Sequence, residues 1–173
     1  TTQYRSILGA LLWLCLTRID LIADVVLLQT EISAPRITHL RAASQLVKKA
    51  IKYRQGCGLR YLPLQGPLKI VCIHDARHAT AQSAYAHEGV IVLLMEDKEL
   101  HLEDTLNLLT DKQVESLCGP AHIVGHFARK SKLTSYSTSH GETLAGAGGN
   151  EFGQAIAMRY TEILSNKVIS LPE

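Results

Sequence analysis

Aromatic side chains make up only 5% of this 173-residue chain, too few to interleave with basic runs as a base-stacking surface requires. Proline (5) and glycine (12) are also scarce beside 46% hydrophobic residues, which excludes a disordered tail and leaves one sizeable domain or a small domain with an appendage. Cysteine is limited to Cys15, Cys57, Cys72 and Cys118, without a CxxC pair. Three of the four lie in apolar surroundings, where reduced thiols pack as small hydrophobes. No disulfide framework is expected, and the chain reads as intracellular. Nor is a zinc quartet spelled out, although His122 and His126 fall on one strand face with His140 nearby. Long hydrophobic runs are missing as well. The uncharged run Ile7 to Leu16 covers ten residues before Arg18, Asp20 and Asp24 interrupt it, whereas a membrane span needs about 20. No transmembrane span is expected, and no secretory signal is visible.

Acidic residues are thin in the first part of the chain. Residues 1–70 carry ten Lys or Arg against three Asp or Glu, and residues 71–173 carry eight against thirteen, so a basic module precedes an acidic one within a net charge of +2.

Apolar spacings of three and four predict buried helices over Tyr4–Leu16 and Ile19–Ile32, with a break near Thr17. Pro35 begins the next element. Ile37, Leu40, Ala43, Leu46, Val47, Ala50 and Ile51 fall on one face of a helix over Arg36–Arg54, with Arg41, Lys48, Lys49, Lys52 and Arg54 mostly off it. Gly56-Cys57-Gly58 stops that helix. Strand texture follows: a short edge strand at Leu59–Leu64, an apolar strand at Leu68–Ile73 ending at His74-Asp75, another at Gly89–Met95, and an alternating one at Ala121–Ala128. The acidic stretch Glu96–Pro120 is too long for a hairpin turn and holds a short helix around Asp111–Cys118. Gly141–Leu164 reads as a long helix in spite of Gly146-Ala147-Gly148-Gly149. The class is therefore α+β, with a helical module over residues 1–57 and a sheet-plus-helix domain over residues 58–173.

Two carboxylates stand out. Asp75 sits where an apolar strand ends, a rigid position from which an acid can hold a hard cation such as Mg²⁺ or simply cap a turn. Glu142 follows the Ser/Thr run Ser137-Thr138-Ser139 at a helix start, where it either complements the helix dipole or joins Asp75 at a common point.

At this combination the chain resembles copia-type retroelement polyproteins, at the end of the reverse transcriptase and into the RNase H domain. Tyr4-Arg5-Ser6-Ile7-Leu8-Gly9-Ala10-Leu11-Leu12-Trp13-Leu14, followed by Thr17-Arg18-Ile19-Asp20, is similar to that family's YRSLVGSLLYL…TRPDI. His39-Leu40-Arg41-Ala42-Ala43, Lys52-Tyr53 and Gly58-Leu59-Arg60-Tyr61 resemble its HW-x-A…YL…G-L-x-Y segment. His74-Asp75-Ala76 stands where the family has S-DA-D, Phe127–Lys132 where it has W-x-SKKQ, and Ser137–Ala145 where it has SST-EAEY-A. The chain departs from the pattern at Ile19, usually Pro, at Arg77-His78, and at Glu96–Pro120, an insertion relative to a short hairpin. His140 takes the place of the first Glu of EAEY, leaving Glu142 at the position of the family's active-site carboxylate.

The resemblance implies an RNase H-like sheet with Asp75 and Glu142 as two ligands of a two-Mg²⁺ site. The family's third catalytic Asp lies on the strand after the long helix, where this chain ends at Pro172-Glu173, so an incomplete catalytic site is expected. It also implies an RNA–DNA hybrid as partner, met by Lys48, Lys49, Lys52, Arg54, Arg129, Lys130 and Lys132 through the phosphate backbone, unless these residues form only a solvated face. A second expectation belongs to another class: a retroelement-derived, non-catalytic subunit whose apolar first helices are buried by a protein partner.

Overall fold

In a computed structural model, described for residues 2–77, 85–97 and 119–166, the chain is α+β, with four α-helices and a three-stranded antiparallel sheet among the described residues. Helix α1 spans Thr2–Leu14, α2 Ile22–Gln29 and α3 Ile37–Lys52; strands β1 Leu68–Arg77, β2 Tyr85–Glu96 and β3 Ala121–Thr134 follow, and then α4 Thr138–Ser165. The strands lie in the order β1-β2-β3. Two compact units are built from interleaved segments: residues 1–59, 74–90 and 126–147 make one, and residues 60–73, 91–125 and 148–173 the other. Parts of the sequence after residue 58 therefore belong to the unit that contains the three helices.

Tyr4, Leu8, Leu11 and Cys15 are all buried, at spacings of four, three and four, so they form one stripe along α1 and the turn after it. Leu11 and Cys15 meet Leu21, Val25, Leu46 and Ala50 in a single apolar cluster that joins α1, α2 and α3. The Tyr4 hydroxyl donates to the Leu28 carbonyl at 2.6 Å, and burial raises its pKa. The predicted break falls at Cys15–Arg18, after which Ile19–Leu21 makes one 3-10 turn. Arg18 is buried there. Its guanidinium donates twice to the Asp20 carboxylate at 2.8 Å and once to the Ala50 carbonyl at 3.1 Å. The Arg18 hydrogen bond holds the Asp20 carboxyl below its ordinary range. In α3 the buried residues Ala43, Leu46 and Ala50 keep helical spacing, and Lys49 reaches Asp24 at 3.0 Å from the outer side. Gly56 adopts φ of 87°, a left-handed conformation that costs glycine little and ends the helical stretch.

The predicted strand Leu59–Leu64 does not form a ladder. Side chains hold it instead. The Tyr61 hydroxyl donates to the Ile123 carbonyl at 3.2 Å, the Leu62 amide donates to His122 Nε2 at 2.8 Å, and the Gln65 amide donates to Glu96 at 2.8 Å. All three flanking strands run further than their apolar cores. In β2 Ala86, Glu88, Val90 and Val92 are buried at period two, which extends the strand through a polar start. Glycines 146, 148 and 149 lie inside α4. Most of Glu96–Pro120, with the short helix expected at Asp111–Cys118, lies outside the described residues. No helix among the described residues is long and apolar enough to cross a membrane.

Candidate functional site

Asp75 does not end its strand: β1 continues through Arg77. The apolar run that made it look terminal is only the inner half of a longer strand. Strand alternation puts His74 and Ala76 on one face and Asp75 and Arg77 on the other. The first face meets α4. A Cβ placed on Gly141 would lie 3.5 Å from the Ala86 methyl and 3.6 Å from that of Ala76, and one on Gly146 would lie 3.2 Å from the His74 ring. The second face looks towards α2, where Asp75, Arg77, His87, Gly89 and Ala128 line a cavity of about 200 Å³ with Ala23, Val26 and Leu27.

Glu142 lies on α4, half-buried, and in the second helical turn rather than the first. The first turn is capped without it. Ser137 Oγ accepts the His140 amide at 3.1 Å, and His140 Nδ1 faces the Tyr136 amide at 3.5 Å. His140 thereby reaches back to the amide before the N-cap, one residue beyond the N-cap amide that a Glu takes in a capping box. At the N-terminus of α3 the reach-back does meet the N-cap amide, with His39 Nδ1 accepting from Arg36 at 3.2 Å. Glu142 is not among the residues lining the Asp75 cavity. Among the described residues no group of three or more His, Cys, Asp or Glu is placed to hold a metal, and this includes His122, His126 and His140. Asp75 thus lines a cavity towards α2, while Gly141 and Gly146, which flank Glu142 on α4, adjoin the other face of β1.

The cations expected to meet phosphate divide into two groups. Lys48, Lys52, Arg54 and Lys132 are exposed, with Lys52 Nζ 5.1 Å above the Tyr53 ring. Lys49 is paired with Asp24, Arg129 donates to the buried Glu88 at 2.9 Å and stacks on Phe127, and Lys130 lies 4.5 Å above the Tyr85 ring. Arg129 and Lys130 therefore already have work within the fold.

His87, Arg77 and Glu88 carry polar chemistry that the sequence reading passed over, because Tyr85–Glu88 lacks the apolar run that marks a buried strand. Period two continued back from Val90 reaches Glu88 and leaves His87 on the opposite face, while Arg77 belongs to the extended end of β1. His87 Nε2 is buried with no hydrogen-bond partner among the described residues. Burial lowers the His87 pKa from 6.5, and Lys130 and Arg77 push the same way. The neutral imidazole is thus the form the fold favours, so the unfolded chain takes up a proton first on acidification. His87 stabilises the fold above about pH 6.5 and that stability is lost as the pH falls through the lower folded-state value. Thermal melts from pH 7.5 to 5 should show a smaller loss of Tm for His87→Leu than for the parent chain. Parallel losses would show that other groups carry the acid sensitivity.

No protein-family model, curated protein or solved structure matches the chain.

Proposed function

We propose that this chain is the segment of a copia-type retroelement polyprotein that joins the end of the reverse transcriptase to an RNase H-like domain, and that it acts without hydrolysing nucleic acid. The order of elements carries this reading. A three-helix module holding Tyr4–Leu14 and Thr17–Asp20 comes first, an antiparallel meander with Asp75 on its first strand follows, and then a long helix opened by Ser137–Glu142. That is the order in which the resembling motifs occur. The absence of hydrolysis is supported by the carboxylates, since Asp75 lines a cavity with α2 while α4 adjoins the other face of β1. Phosphate contact then rests on Lys48, Lys52, Arg54 and Lys132, which are exposed and carry no carboxylate partner among the described residues. Each phosphate they neutralise releases counterions, so binding should weaken steeply with salt.

A fluorescent RNA–DNA hybrid tests both halves. In Mg²⁺ neither the chain nor its Asp75→Asn variant should cut the hybrid, while anisotropy should report weak binding that disappears as salt rises. Reversing Lys48 and Arg54 to Glu should weaken that binding about tenfold or more at low salt. Cleavage abolished by Asp75→Asn would overturn the non-hydrolytic reading. Binding indifferent to salt and to the reversals would overturn the hybrid as partner.

A further inference from the structure

A groove of about 550 Å³ runs between α1 and α3 on the helical unit. Ile7, Ala10, Leu11 and Leu14 form its α1 wall; Val47, Ala50 and Ile51 form its α3 wall. Its charged lining residues are both cations, Arg18 and Arg54. Arg18 is held by Asp20 and Ala50, whereas Arg54 has no carboxylate partner among the described residues. Neither α1 nor α3 contains an acidic residue. On α1 Trp13 is 76% exposed, and in the α3 wall Ile51 is 60% exposed. Apolar surface of this kind, gathered in a concave site rather than scattered, marks an interaction surface.

We infer that this groove docks an acidic amphipathic helix of a partner protein. The concavity accepts a ridge of apolar side chains at helical spacing, as helix-in-groove recognition requires. With Arg18 neutralised by Asp20, the free charge at the groove is that of Arg54, so carboxylates flanking that ridge are attracted and ammonium groups are repelled there. Helix α1 is roughly 20 Å long, enough to lie along a partner of about four turns. A phosphate backbone would meet Arg54 but leave the apolar floor uncovered. An anionic membrane would reach Trp13 but not the bottom of a groove. The inference goes beyond the proposed function and does not need it: a chain that never binds hybrid can still hold this helix.

The test uses the 173-residue chain and a designed helical peptide of about four turns, with leucines at spacings of three and four and glutamates elsewhere. Its control carries lysine at every glutamate position. Trp13, the sole tryptophan, reports binding by its fluorescence. The acidic peptide should bind in the micromolar range and the lysine peptide at least about tenfold more weakly. Ala10→Glu and Arg54→Glu alter exposed positions on opposite walls and should each reverse part of that preference. Lysine and glutamate peptides that bind alike, or a preference unmoved by both substitutions, would overturn the proposal. So would a Trp13 shift given by anionic vesicles alone, or a concentration-dependent dimer that excludes the peptide. Loss of hybrid binding with peptide binding intact would remove the proposed function and leave the groove.

Discussion

Replacing Leu21 by Ala should cost about 3–5 kcal/mol of stability, the range for a leucine whose removal leaves a cavity that cannot collapse. Leu21 is fully buried and lies on the 3-10 turn between α1 and α2, in one cluster with Leu11, Cys15, Val25, Leu46 and Ala50. A short turn fixed at both ends by helices has little freedom to close the void. A domain of this size has only about 5–15 kcal/mol in total, so the substitution should remove a large share of it. Urea denaturation followed by circular dichroism would measure the change. A cost below about 1 kcal/mol would show that the three helices are not packed through Leu21.

A second loss is expected when a side chain is put where none fits. A Cβ on Gly125 would overlap the Ile156 Cδ1 atom and lie 3.0 Å from two ring carbons of Phe152. Close packing between β3 and α4 at this point depends on the absence of a side chain. Gly125→Val satisfies the strand's own preference for β-branched residues, yet it drives two γ-methyls into a space already filled. Overpacking of this kind costs about 1–3 kcal/mol where neighbours can shift, and more where they cannot. The same substitution at Gly89, where an added Cβ meets nothing within 4 Å, should be far milder. Melting both variants beside the parent gives the comparison, and a Gly125→Val protein as stable as Gly89→Val would show that β3 and α4 are spaced more widely.

Helix positions were legible because α1 and α3 bury residues at regular spacing, with no conflict between local pattern and packing. The long final helix was legible through its glycines for the same reason, as its flanks carry it. Strand limits were not. Tyr85–Glu88 and Lys130–Thr134 extend their strands with polar residues, one of them the buried Glu88, whose carboxylate is met by Arg129 from the neighbouring strand. A pairing across strands leaves no trace in a local window. The segment Leu59–Leu64 failed in the opposite sense: its residues suit a strand, but side chains of His122 and Glu96 take the amides that a ladder would use. Asp75 was misplaced in its strand, because the strand's inner apolar half was taken for its whole length.

Arg18 reads in the sequence as a charge that interrupts an apolar run, and the structure gives that interruption a mechanical meaning. Helix α3 leaves unpaired carbonyls in its last turn, as every helix does. The Ala50 carbonyl is one whose partner comes from outside the helix, because the Arg54 amide turns to Ile51 and Arg18 donates to Ala50. The guanidinium is thus a cap supplied in trans, bringing positive charge to the negative end of the α3 dipole. Because the same group is locked to Asp20, the end of α3 cannot fray without loosening the turn that separates α1 from α2. Two helix ends that are distant in sequence are therefore expected to open as one cooperative unit.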